Sequence, residues 1–195
     1  MTDPLSEADD AATPLTPDER EGLIPTWIAL RQELNAAEQR SIAAADRWAF
    51  SRRRDVLDEA FLRRLHKRMF ADVWRWAGEY RITGKNIGVD VCQIGTSLRH
   101  LLEDARYWSE QNTYPPDEIA ARFHHRLVWI HPFPNGNGRH ARVATDLLAM
   151  RLGHNRFTWG RVNLTDAGET RRRYIAALRS ADKHDIAPLL AFMRS

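Results

Sequence analysis

The sequence has one cysteine, Cys92, and three lysines, Lys67, Lys85 and Lys183, among 195 residues. A single thiol excludes an intramolecular disulfide framework and any zinc site built on several cysteines, and it fits a reducing cytoplasm. No apolar run approaches the length of a membrane span, and the amino terminus is acidic where a secretory leader would be basic and then apolar. We therefore expect a cytoplasmic chain with no membrane contact. Charge of one sign is lacking too: 29 basic residues face 26 acidic ones. That excess is too small for the single-sign field of a nucleic-acid binder, so direct nucleic-acid binding is not expected. Internal repeats are absent, and the lopsided use of arginine over lysine decides nothing by itself.

What is present is a globular composition, 43% hydrophobic, enough for one domain with a real core. Residues 1–16 mix Asp, Glu, Ala, Thr and Pro with almost no large apolar side chain and are expected to form a disordered tail. The single domain then runs over 17–195. Thr16 followed by Pro17 reads as a helix start, with Gly22 as its stop. A second helix is predicted from Pro25 and Thr26 past Ala45, with Trp27, Leu30, Leu34, Ala37 and Ile42 on its buried side. Leu57, Phe61, Leu65, Met69 and Val73 recur on a near four-residue beat, the stripe of an amphipathic helix. The same patterning predicts helices over 96–110, 117–130, 139–152, 166–181 and 185–193. Between Tyr80 and Ile94 the pattern changes: Ile82, Ile87, Val89 and Val91 alternate with polar or small residues around Gly84-Lys85-Asn86, which predicts a short β-hairpin. The fold class is thus all-α with a hairpin flap, whose outer edge, at Ile87, Gly88 and Val89, could pair with an extended target peptide.

The segment from His131 to Arg142, His-Pro-Phe-Pro-Asn-Gly-Asn-Gly-Arg-His-Ala-Arg, lies between two apolar-striped helices. Two prolines and two glycines forbid helix through its middle, and Gly136 and Gly138 can take positive φ. Such a turn at the start of a helix gathers amide N–H groups into an anion nest, reinforced by the helix dipole. Arg139 and Arg142, three residues apart on one face of the first turn, oppose that dipole unless a polyphosphate arrives between them. His131, at the mouth of the loop, can accept a proton near neutral pH.

Together His131, Phe133, Gly136, Asn137, Gly138, Arg139 and Arg142 resemble the signature of the Fic domain, His-x-Phe-x-Asp/Glu-Gly-Asn-Gly-Arg-x-x-Arg. Trp76-Ala77-Gly78-Glu79-Tyr80-Arg81 looks like the Fic region leading into the substrate flap. The stretch from Trp159 to Leu164, with Tyr174 to Leu178, resembles the subgroup called mobile mystery protein B, so the likeness spans about Glu21 to Phe192. The resemblance implies a Fic-type helical bundle that transfers AMP from ATP, with Mg²⁺, to a hydroxyl side chain of a protein substrate. It implies His131 as general base, Gly136, Asn137 and Gly138 as the phosphate nest, Arg139 and Arg142 on the β- and γ-phosphates, and Phe133 as anchor of the loop. It also implies a helix-turn-helix companion protein of the toxin–antitoxin kind.

Asn135 departs from this pattern. It stands where the signature carries the acid that binds magnesium, so an amide oxygen replaces a carboxylate. That substitution leaves open a different transfer with the same loop, phosphoryl transfer or removal of AMP, and a weakly catalytic nucleotide-sensing module. A histidine metal site from His124, His125, His131 and His140 is a further alternative, disfavoured because adjacent helical residues diverge by about 100°. For restraint, Fic proteins use a helix with Ser/Thr-x-x-x-Glu-Gly/Asn whose glutamate pairs with the second signature arginine. Glu21, before Gly22, and Glu33 are the two partial matches.

Overall fold

The computed structural model describes residues 14–161 and 168–195. Eight α-helices are found among them: α1 Pro17–Arg20, α2 Arg31–Phe50, α3 Glu59–Phe70, α4 Ile94–Gln111, α5 Pro116–Ile130, α6 Asn137–Arg151, α7 Glu169–Ala181 and α8 Ala187–Arg194. Local chemistry sets most of their starts. The Asp58 carboxylate accepts from the amides of Ala60 and Phe61 at 3.3 and 3.0 Å and caps α3. Pro116 opens α5 with Asp117 and Glu118 in its first turn, where the dipole favours acids. At α1, Thr16 and Glu19 cap each other's backbone reciprocally.

α5 and α6 form the centre of the bundle, with α2 and α3 packed together on one side and α4 against α5. The apolar stripes of these helices meet in one core that includes Leu34, Phe61, Leu65, Met69, Leu98, Phe123, Leu127 and Leu148. Each such buried side chain contributes roughly 1.5–3 kcal/mol of transfer free energy. α7 and α8 close the far end through a second cluster of Tyr174, Ala177, Leu189, Phe192 and Met193 around Phe157 and Trp159. No helix among the described residues is long and apolar enough to cross a membrane.

Three expectations need correction. α2 starts at Arg31, six residues later than the pattern around Pro25 suggests, because the Glu33 carboxylate accepts from the amides of Ala29 and Leu30 and fixes the start there. Trp27 and Leu30 are consequently 56% and 55% exposed instead of buried. Pro14, Leu15 and Thr16, assigned above to the tail, are held: Lys85 donates to the Pro14 carbonyl at 2.9 Å and Leu15 packs on the core. The rest of the tail, and Val162 to Leu164 of the subgroup likeness, lie outside the described residues.

The third correction is the hairpin. The segment from Tyr80 to Ile94 contains no β-ladder; it is an irregular flap ending in a 3₁₀ turn at Val91–Gln93. The alternation is inverted at its start, since Arg81 is buried at 1% exposure and Ile82 is 88% exposed. The flap's backbone groups find partners outside itself. The Arg81 amide donates to the Pro132 carbonyl at 2.9 Å and the Val89 amide to the Ile130 carbonyl at 3.4 Å. The Arg81 side chain takes the carbonyls of Thr83 and Val89. With these groups bonded outside any ladder, the two arms of the predicted hairpin do not pair with each other.

Candidate active site

α5 ends at Ile130, and His131 follows in the left-handed region at φ 54°, ψ 59°, its amide donating to the Leu127 carbonyl at 3.3 Å. A non-glycine residue there stores roughly 1–3 kcal/mol of strain, which surrounding contacts must hold. Phe133 anchors the loop as expected: it is 1% exposed and stacks on His66 with ring centroids 3.7 Å apart. The Asn137 side chain staples the turn, accepting from the Phe133 amide at 3.0 Å and donating to the Phe133 carbonyl at 2.8 Å. Of the two glycines expected to need positive φ, Gly136 does, at 77°, with the Phe70 ring 2.5 Å from where a Cβ would sit. Gly138 already lies in α6, and a Cβ there would approach Tyr174 Oη at 3.8 Å and Arg142 Nη1 at 4.0 Å.

α6 starts at Asn137 with no side-chain cap and no acid in its first turn. The first amides of a helix have no intrahelical acceptor, so this terminus presents N–H donors to an anion. Arg139 sits in that first turn and Arg142 in the second, one turn further on than expected. Arg139 Nη1 donates to Glu38 Oε2 at 2.5 Å, and the other oxygen of that buried carboxylate accepts from Trp74 Nε1 at 2.7 Å. The Arg142 guanidinium lies 5.9 Å from the centre of the Tyr174 ring and interacts electrostatically with its hydroxyl. The same hydroxyl meets His124 Nε2 at 2.8 Å, and His124 Nδ1 meets Thr145 Oγ1 at 3.2 Å. Arg139 is thus held by a buried carboxylate, and Arg142 lies against the Tyr174 ring.

His131 is 5% exposed. Burial pushes its pKa down to about 4; the Val128 carbonyl pulls upward, and the charges of Arg81 and Lys85 add to the lowering. The imidazole is therefore neutral at pH 7, the form that accepts a proton. Over it lies the flap: a Cβ on Gly88 would fall 2.7 Å from His131 Cβ, and Arg81 Nε donates to the His131 carbonyl at 2.7 Å. α1 holds the flap in turn. Glu19 pairs with Lys85, both side chains under 10% exposed, and accepts from Thr83 Oγ1 at 2.9 Å.

Other expected residues fall elsewhere. Glu33 caps its own helix, and Glu21 is the exposed C-terminal cap of α1. The carboxylate that meets a signature arginine is Glu38, on the first of the two. The four-histidine site does not assemble: His124 joins Tyr174, His125 pairs with Asp182 at 2.8 Å, and His140 Nε2 donates to the Leu62 carbonyl at 3.0 Å. Among the described residues no group of three or more His, Cys, Asp or Glu could hold a metal. Asn135 Oδ1, expected toward magnesium, accepts instead from the Gly136 amide at 2.7 Å and from Arg139 Nη2 at 3.5 Å. An amide oxygen turned to two donors does not fit a magnesium ligand in this arrangement.

Sequence reasoning missed Glu38 and His66, named Arg81 and Tyr174 only as parts of the family likeness, and placed His124 only in the histidine metal site. Glu38 had a readable signal, a carboxylate on the buried side of α2 between Leu34 and Ser41. His66 and His124 likewise lie on apolar stripes. Arg81, at the end of the Fic-like lead into the flap, carried no sign that its side chain reaches the His131 carbonyl.

Comparison with known proteins finds one family. The family model described as Fic/DOC family matches residues 56–149. The chain is 33% identical over 133 residues to "Protein adenylyltransferase Fic" of Drosophila grimshawi, covering 66% of this chain and 26% of that protein. It is 32% identical over 120 residues to "Protein adenylyltransferase fic-1" of Caenorhabditis elegans, covering 60% and 22%. The chain thus spans about a quarter of the length of these relatives. Among solved structures, BepC of Bartonella tribocorum with bound AMPPNP superposes with a TM-score of 0.68 at 17% identity, covering 92% of this chain and 97% of that one. By its signature loop, its helical bundle and these matches, the chain carries a Fic/DOC family domain over residues 56–149.

Proposed function

We propose that this chain transfers the AMP moiety of ATP to a hydroxyl side chain of another protein. The observation that carries the reading is a buried, neutral His131 at the mouth of a loop that opens onto the uncapped N-terminus of α6 between Arg139 and Arg142. The relatives' names supply the reaction, and the AMPPNP and ADP held by structural neighbours support ATP as donor.

His131 takes the proton of the target hydroxyl as its oxygen attacks the α-phosphorus. The α–β phosphoanhydride bond breaks, and pyrophosphate leaves. Its charge falls to the amides at the start of α6 and to the guanidiniums of Arg139 and Arg142, a stabilisation that grows as the leaving charge develops. The target's chain lies along the exposed Ile87 and Gly88, since the Val89 amide and carbonyl are already bonded to Ile130 and Arg81. Because Asn135 Oδ1 is turned to the Gly136 amide and Arg139, no step is assigned to magnesium. Restraint by a helix-turn-helix companion belongs to this reading, as Glu33 is committed to capping its own helix.

Intact-mass analysis of the chain after incubation with each nucleoside triphosphate, with and without Mg²⁺, tests the donor. Gain of one adenylate from ATP alone is expected. Gain of phosphate, or of a different nucleotide in preference, overturns the assignment.

A further inference from the structure

We propose that Arg81 is a positioning residue: its buried guanidinium ties the flap to the His131 carbonyl and so fixes where the base sits when the target hydroxyl arrives. The inference rests on the reading of His131 as the base.

Arg81 makes four bonds to three stretches of chain. Its Nε donates to the His131 carbonyl at 2.7 Å, Nη1 to the Thr83 carbonyl at 3.1 Å and Nη2 to the Val89 carbonyl, while its amide donates to the Pro132 carbonyl at 2.9 Å. Each acceptor of the side chain is a neutral carbonyl. A cation buried on carbonyls alone is a poor device for stability, because desolvation is not offset by a directly bonded carboxylate. An apolar side chain of similar length could fill the space. What the guanidinium adds is a directed bond on the carbonyl of a residue held at φ 54°, ψ 59°. That bond sets the peptide plane after His131 and opposes relaxation out of the left-handed region.

The flap also wedges the base sterically. Gly88 lies so close that a Cβ would stand 2.7 Å from His131 Cβ and 2.8 Å from Arg81 Nη2. His131 is thus gripped between the flap, through Arg81 and Gly88, and the end of α5. The charged groups facing it are Arg81 and Lys85, the latter paired with Glu19, and both cations favour the neutral ring. A target docking on the flap then acts on the same backbone that orients the base.

The test uses the full chain labelled with ¹⁵N, titrated by imidazole NMR with His131 assigned from the His131→Ala spectrum, alongside AMPPNP affinity and AMP-transfer rate. Arg81→Gln should raise the His131 pKa and slow transfer roughly 10–100-fold, as expected for a displaced base, with AMPPNP affinity unchanged within about twofold. Arg81→Lys should keep the low pKa, because it keeps the charge, yet still slow transfer, because it loses the fork. An unmoved His131 pKa in Arg81→Gln with transfer at the parental rate overturns the proposal. So does a loss of AMPPNP affinity that parallels the loss of transfer, which would mark Arg81 as general support for the loop. Should Arg81→Gln fail to fold, Gly88→Ala, which pushes on His131 from the flap side, is judged by the same readouts. If the parent transfers nothing, the activity reading has failed, and the NMR titration alone decides whether Arg81 controls the base.

Discussion

His131 and Asn135 stand four residues apart in one loop, and their surroundings give them opposite chemistry. The ring of His131 is buried next to cations and stays neutral. With His131 as the proposed base, replacing it with alanine should lower transfer by roughly 10²–10⁴-fold while AMPPNP binding holds, since a general base contributes to the transition state and not to nucleotide affinity. Transfer at the parental rate would remove His131 from the mechanism. At Asn135 the amide oxygen faces the Gly136 amide and Arg139. Asn135→Asp places a charge there, and we expect it to tighten Mg²⁺ binding and steepen the Mg²⁺ dependence of transfer. Calorimetric titration of Mg²⁺ in the presence of AMPPNP checks this, and identical isotherms for parent and variant would contradict it. Glu38 belongs at this scale as well. It was readable as a lone carboxylate on an apolar helix face, but nothing in α2 tells that its partner is Arg139, 101 positions away.

At the scale of elements, α1 is only one turn long, too short to be stable on propensity. It persists because Glu19 reaches the flap and the Trp76 indole donates to the Glu19 carbonyl at 2.9 Å. Removing one partner of a buried pair leaves the other charge unsatisfied. Glu19→Ala should therefore destabilise the chain by about 3–5 kcal/mol, measured by urea denaturation. A loss below about 1 kcal/mol would mean that Lys85 reaches water at little cost and that α1 does not hold the flap. The flap itself shows why period-2 alternation misled. Ile82, Ile87 and Val89 fit a half-buried strand, but a strand needs a partner ladder, and here the amides of Arg81 and Val89 go to the carbonyls of Pro132 in the signature loop and Ile130 at the end of α5.

Across the whole molecule, several fully buried histidines brace the bundle. His66 receives the Gly78 amide on Nδ1 at 2.9 Å and so must donate from Nε2 to the Asn135 carbonyl at 3.1 Å. Burial lowers its pKa, and it lowers those of His124, His131 and His140 to about 3, 4 and 4. These folded values lie below the unfolded value of about 6.5. The neutral native rings therefore contribute stability that is fully present above pH 6.5 and is lost as pH falls toward 4. Each ring costs about 1.4 kcal/mol per pH unit in that window, so the three with assigned values give roughly 4 kcal/mol per unit between pH 6 and 5. Urea midpoints should drop steeply from pH 6.5 to 5, and a flat profile would show that the rings protonate without unfolding.

The sequence by itself determined the helices, because a 3.6-residue apolar period and capping residues are local properties of the chain. It determined the signature loop for the same reason: prolines, glycines and arginines at fixed spacing constrain their own backbone and charge. Tertiary structure alone decided what surrounds that loop. Arg81 on the His131 carbonyl, Glu38 on Arg139, and Tyr174 with His124 beneath Arg142 join residues 50, 101 and, for Tyr174 to His124, 50 positions apart. Such pairings arise where helices pack and buried polar groups must find partners, and no local pattern encodes which partner is within reach.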